Sequence, residues 1–247
     1  MTPLVQSALD TVASSLKGEC LLKGGEGLLV AVSGGPDSMT LLTLLAQLRA
    51  SFPLRLHALY VDHALQGEVS AQAGRHVQAY CATLGILCDV ETLKAGWAEV
   101  PGEGGIQSRA RDARYNALRS HKEHLGLDAI CTGHTRSDQA ETVLVRALRG
   151  TGLRGLSGMA PRRGDILRPM LSLSRGDIEG IAQALEIPTL EDPTNASPRY
   201  ERNRVRNQLL PLAHQRIKIR AAICSAGGHQ GRDTSGEDIR VHGLFLS

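Results

Sequence analysis

The stretch LLVAVSGGPDSMTLLTLLAQL, residues 28–48, decides the fold. Leu28–Val32 is a short apolar run bounded by GGEG and SGGPDS, which reads as a buried strand. Ser38–Ala50 follows as a leucine-rich helix. Between them a glycine turn opens onto a helix N-terminus, where unpaired N–H groups and a partial positive charge favour an anion. Gly34 and Gly35 let the backbone approach a ligand closely, Ser33 and Ser38 add hydroxyl donors, and Pro36 suits a first helical turn. Asp37 would repel phosphates, but it makes sense if it holds Mg²⁺, which bridges carboxylate and phosphate. The loop is neither a G-x-x-x-x-G-K-[ST] nor a G-x-G-x-x-G turn. A plain helix cap, with Asp37 complementing the dipole, is the alternative use of the same residues.

Outward from this unit, strand and helix signals alternate. Leu54–Val61 and Ile86–Val90 read as strands, and Val69–Leu84 between them as a helix with Ala73, Val77, Tyr80, Cys81 and Leu84 on one face. Ile106, Ala110, Ala113 and Ala117 mark a further helix. Asp128–Thr132 is a strand, Asp138–Leu148 a helix and Ile166–Leu167 a short fifth strand. Ser174-x-x-Asp177 opens a last helix through Ile178, Ile181, Ala182 and Leu185. The pattern predicts an α/β fold, a doubly wound and mainly parallel five-stranded sheet. Ligands of such sheets bind outside the carboxyl ends of the strands. Lys94–Gly105 is rich in Gly and Pro and reads as a mobile loop; Ala221–Ser247 has no sustained periodicity and reads as a loose tail.

A chain of 247 residues, 42% hydrophobic and 21% charged, has room for one large domain or one domain plus an appendage. No stretch approaches 18 uninterrupted apolar residues, which excludes a membrane-spanning helix. The first residues include Asp10 and Glu19 without a basic-then-apolar layout, so a cytoplasmic protein is expected. The five scattered cysteines form no C-x-x-C pair, against a disulfide framework or a cysteine-based metal centre. Net charge is only +3, yet Arg199–Arg220 holds seven Arg or Lys and one Glu. A local basic stretch on a near-neutral body suits a phosphate-rich partner or a solvated helix face.

Three more segments invite a chemical reading. YVDHALQGE, Tyr60–Glu68, ends the second strand, where Asp62 and His63 could face a nucleotide. In SRARDARYNAL, Ser108–Leu118, Arg111 and Arg114 share a helix face and suit phosphate oxygens. In GHTRSDQAET, Gly133–Thr142, Asp138 and Glu141 lie three apart on one side of a first helical turn. Two carboxylates there could hold an ammonium group and help deprotonate it, or could complement the helix dipole.

SGGPDS resembles the pyrophosphate loop of the N-type ATP pyrophosphatases, enzymes of the adenine nucleotide alpha hydrolase-like fold that split ATP between the α and β phosphates and adenylate a substrate. Within that group the other segments resemble the tRNA(Ile)-lysidine synthetase family: VDHxLR at Val61–Gln66, with Gln66 in place of Arg; AR-x-x-RY at Ala110–Tyr115; and GHxxDDQxET at Gly133–Thr142, with Ser137 in place of the first acid. RGTGLRGLSGM (Arg149–Met159), LRPMLSLSR (Leu167–Arg175) and EDPTNASPRYERNRVRNQLLP (Glu191–Pro211) resemble further family segments in the expected order. The resemblance implies ATP and Mg²⁺ as cofactors, and free lysine and an isoleucine tRNA with a CAU anticodon as substrates. It implies adenylation of the wobble cytidine followed by displacement of AMP by lysine. Ser33, Gly34, Gly35, Pro36, Asp37, Ser38, Asp62, His63, Gly133 and His134 are then the ATP-binding set, with Asp37 on Mg²⁺. Asp37, Arg111, Arg114, Asp138 and Glu141 are the catalytic set; Asp138 and Glu141 also bind lysine, and Arg202, Arg204 and Arg206 bind tRNA. Residues 1–212 form the catalytic domain, with a small helical C-terminal extension, and 213–247 an atypical tail in place of the family's usual C-terminal domains. A non-catalytic RNA- or nucleotide-binding remnant, or another adenylating enzyme of the same group, is the alternative.

Overall fold

The computed structural model describes residues 2–63, 68–93, 105–150 and 157–190, together with 205, 209 and 210. The expected loose tail, the loop over 94–104 and the basic residues Arg202, Arg204 and Arg206 lie outside the described residues.

The chain opens with α1 (Pro3–Gly18), followed by β1 (Gly27–Val32), α2 (Pro36–Leu48), β2 (Arg55–Asp62), α3 (Glu68–Thr83) and β3 (Leu87–Thr92). Next come α4 (Ile106–His124), β4 (Ala129–Cys131), α5 (Arg136–Leu148), β5 (Arg162–Arg163), β6 (Ile166–Leu167) and α6 (Arg175–Ala184). The strands form one sheet in the order β3-β2-β1-β4-β6-β5. All neighbours are parallel except β5, which pairs antiparallel with β6 at the edge.

The doubly wound, mainly parallel sheet is the one expected, but with six strands rather than five. The added strand is Arg162–Arg163, which bears no apolar signal. Gly164, at φ +62°, turns the chain back so that these two residues pair with Ile166 and Leu167. The N-terminal helix α1 is also additional. Pro3 starts it, the Thr2 side chain accepts the Val5 N–H, and Val5, Leu9, Val12 and Leu16 form its buried stripe.

Burial on both faces explains why the central strands are continuous apolar runs. One face is covered by α2 and α3, with α1 and α6 packed beside α2, and Leu28, Val30 and Val32 of β1 lie in that core. The other is covered by α4, whose Tyr115 and Leu118 pack on Leu29, Leu59 and Ile130. From α2 alone, Met39, Leu41, Leu42, Leu44 and Leu45 are fully buried. Truncating one such leucine to alanine costs about 2–5 kcal/mol. The strand order reverses beside β1, whose neighbours are β2 and β4. The crevice beyond the carboxyl ends of β1 and β4 is therefore the place for a ligand. SGGPDS leaves β1 there, and GHTRS leaves β4.

Candidate nucleotide and amine site

The glycine loop is held by its own serines. The Ser38 hydroxyl accepts the Ser33 N–H at 3.0 Å and donates to the Gly35 carbonyl at 3.1 Å, and the two hydroxyls are 3.1 Å apart. Gly34 has φ +82°, a conformation that favours glycine. Its carbonyl accepts the Leu190 N–H at 2.8 Å. Leu190, the residue before Glu191, thus docks on the loop, a contact that nothing in the loop sequence announces. Gly35 is the N-cap of α2 and has no side chain with which to close the first turn, so the N–H groups of that turn are placed for an external anion.

The second loop meets the first at Gly133. A Cβ there would lie 2.9 Å from the carbonyl carbon and oxygen of Asp37 and 3.0 Å from the Ser38 nitrogen. Only glycine permits this backbone approach, and it joins the starts of α2 and α5 in one site. His134 is fixed by a 2.8 Å bond between its Nδ1 and the Thr132 hydroxyl.

Asp138 is 9% exposed and Glu141 fully buried, both in the first turns of α5. One oxygen of Asp138 accepts the Thr135 N–H at 2.8 Å and the Thr135 hydroxyl at 3.0 Å. The carboxylate therefore serves the helix start whatever else it does, and Thr135, rather than Ser137, is its capping partner. Gln139 binds the far end of the RGTGLRGLSGM segment: its amide donates to the Met159 carbonyl at 2.7 Å and accepts the Met159 N–H at 2.5 Å. Arg146 donates to the Gly158 carbonyl at 2.8 Å. Sequence reasoning gave neither residue a task; their place in or beside the decapeptide was the available signal.

At the end of β2, Asp62 is buried and His63 half-buried. Burial pulls the His63 imidazole below its ordinary value; Arg114 adds to the effect and Asp62 opposes it. Arg114 thus acts electrostatically on His63, as does Asp62 in the opposite sense. Arg111 lies 5.1 Å from the Tyr115 ring centroid and Arg114 6.0 Å. The structure brings together the SGGPDS and GHT loops, and separately sets both Arg114 and Asp62 near His63.

The donor set fits Mg²⁺ of a limited kind. Among the described residues no group of three or more His, Cys, Asp or Glu is placed to hold a metal. Mg²⁺ is commonly held by one or two carboxylates together with substrate phosphates and water. Asp37, in the first turn of α2 beside the glycine loop, is one carboxylate that could serve in this way.

The PP-loop domain family matches residues 4–213. Among curated relatives, the tRNA(Ile)-lysidine synthase of Clostridium perfringens (strain ATCC 13124) is 35% identical over 83% of this chain and 44% of its own length. That of Pseudomonas aeruginosa is 44% identical over 75% of this chain and 41% of its own, and that of Alkalilimnicola ehrlichii 36% identical over 98% and 55%. The chain thus spans about half the length of these relatives. Among solved structures, the U34-tRNA thiolase NcsA from Methanococcus maripaludis aligns with a TM-score of 0.72 at 18% identity, covering 98% of this chain and 86% of that one. That likeness concerns the fold. Among the described residues no helix is long and apolar enough to cross a membrane.

Proposed function

The chain belongs to the PP-loop domain family, and on that premise we propose that it ligates lysine to the wobble cytidine of an isoleucine tRNA bearing a CAU anticodon, using ATP. The observation that supports this most is the contact at Gly133. It places a turn suited to phosphates against a turn whose helix begins with two carboxylates. An adenylating ligase that uses an amine needs those two chemistries side by side.

In this reading, the Ser33–Ser38 backbone and its hydroxyls cradle the phosphates of ATP, which also rest against Gly133 and His134. Asp37 holds Mg²⁺, which when bound neutralises phosphate charge. Arg111 and Arg114 stabilise negative charge near the α-phosphate or hold RNA, with Asp62 and His63 beside the nucleotide. The cytidine carbonyl oxygen bonds to the α-phosphorus and pyrophosphate leaves. Asp138 and Glu141 hold lysine, whose amine displaces AMP and gives up a proton. Buried, Glu141 is suited to take that proton, because its carboxylate is removed from competing water. Arg202, Arg204 and Arg206 supply backbone contacts to the tRNA. Most of the work is positioning and charge neutralisation.

The test is transfer of radiolabelled lysine, with ATP and Mg²⁺, to a CAU-bearing isoleucine tRNA transcript, against a methionine tRNA with the same anticodon. Label in the isoleucine tRNA alone is the expected result. Label in both would mean that these 247 residues perform the chemistry without selecting the tRNA. A folded protein that forms neither labelled tRNA nor AMP would overturn the proposal.

A further inference from the structure

Arg168 is the residue after β6. It is 5% exposed, and among the described residues it forms no ion pair with a carboxylate. Its Nη1 donates to the Ala160 carbonyl at 2.9 Å, and its Nε is buried without a hydrogen-bond partner. The acid in the same hairpin, Asp165, is 2.8 Å from Lys122 and is therefore already engaged. The groups that act on Arg168 electrostatically are Tyr115, which also bonds to it, and two further guanidinia, Arg111 and Arg163. A buried positive charge facing like charges is costly unless an anion completes it. Its neighbourhood is that of the site: the preceding residue, Leu167, offers its carbonyl to the N–H and hydroxyl of Thr132, which itself leads into Gly133.

We propose that Arg168, with Arg111, forms an oxyanion subsite that binds a phosphoryl group, from either the nucleotide or the RNA backbone. The planar guanidinium suits two parallel bonds to such a group. A core arginine is usually balanced by an acid; among the described residues none balances this one, and an incoming phosphoryl group would. The inference rests on the proposed function only for the choice of anion. It is read by binding alone, so failure of lysine transfer would leave it standing.

The experiment compares wild type with Arg168→Met and Arg168→Lys. Three readings are taken: Tm in anion-free buffer, affinity for ATP with Mg²⁺ by calorimetry, and affinity for a CAU anticodon stem-loop by filter binding across a salt series. Arg168→Met is expected to keep or raise Tm, because it removes an uncompensated charge. It should also weaken one of the two ligands about tenfold to a hundredfold. Loss confined to ATP identifies a nucleotide phosphate. Loss confined to the stem-loop, with the salt slope reduced by about one, identifies the RNA backbone. Should Arg168→Met fail to fold, Arg168→Lys decides: it keeps the charge but not the planar fork, and the same ligand should weaken about tenfold. Unchanged affinity for both ligands overturns the proposal. So does a fall in Tm with both affinities retained, the signature of an arginine held by an acid of the chain itself.

Discussion

Replacing Gly133 by alanine tests whether the two loops act as one site. The added Cβ would sit 2.9 Å from two backbone atoms of Asp37, where ordinary contact begins near 3.4 Å. Neither atom is the end of a flexible side chain, so the starts of α2 and α5 must separate by about 0.5 Å. Overpacking of this kind costs about 1–3 kcal/mol of stability. A displacement approaching 1 Å at reacting groups costs on the order of a hundredfold in rate. We therefore expect a folded Gly133→Ala protein whose tRNA-dependent AMP formation falls about tenfold to a hundredfold. Gly35→Ala is the control. A Cβ at Gly35 meets only the Ser33 hydroxyl, at an ordinary 3.6 Å, and φ there is −74°. That variant should keep wild-type stability and lose only what the nucleotide itself no longer finds at the backbone. Both quantities come from urea unfolding followed by an AMP-release assay. Full AMP formation by Gly133→Ala would refute the claim that the contact joins the two chemistries.

Other outcomes follow from the same geometry. Asp37→Asn should retain the fold and lower AMP release on the order of a hundredfold, in keeping with several kcal/mol of lost metal-mediated charge stabilisation; Mg²⁺ titration of AMP release checks it. Glu141→Gln keeps the volume of a fully buried side chain and removes its charge. It should raise the lysine concentration at half-maximal rate about tenfold to a hundredfold and leave that for ATP in place, as measured by steady-state kinetics. His63, pulled below its ordinary value by burial and Arg114, binds fewer protons folded than unfolded. Its contribution is thus present above the unfolded value, near 6.5, and is lost as pH falls toward the folded one. Urea unfolding between pH 7.5 and 5.5 should show stability falling with pH, and a shallower fall in His63→Gln.

The central strands were legible because a strand buried on both faces must be apolar throughout. β1, β2, β4 and β6 announced themselves in that way, and Pro36 and Ser174 marked two helix starts. The edge strand Arg162–Arg163 was not legible, since two arginines become a strand only through the turn at Gly164. The stripe Val5, Leu9, Val12 and Leu16 had helical spacing and could have disclosed α1. At the site, residue types were legible and their meetings were not. Gly133 lies almost a hundred residues beyond Asp37, and nothing local to GHTRS states that its glycine touches that backbone. Arg168 sat in plain view within LRPMLSLSR, but that no acid among the described residues pairs with it is a property of packing.

The two helix starts joined at Gly133 differ in how their N–H groups are satisfied, and that difference gives the proposed site its polarity. At α2 the capping residue is glycine, and the serines bind within the loop, so the dipole is presented to whatever lies in the turn. At α5 the Asp138 carboxylate turns back to the Thr135 N–H and hydroxyl and places negative charge over the same kind of dipole. The glycine cap favours an anion at the first start, where the Asp37 carboxylate suits one that arrives with a cation, and the Asp138 carboxylate opposes an anion at the second. A cation meets the reverse, with the buried Glu141 one turn further on. On the proposed function, a triphosphate with its cation and an ammonium group would be directed to opposite sides of Gly133. That sorting needs both the bare cap of Gly35 and the acid at Asp138. A larger residue than Gly133 would push the two starts apart, and on the proposed function that would divide the site into two halves.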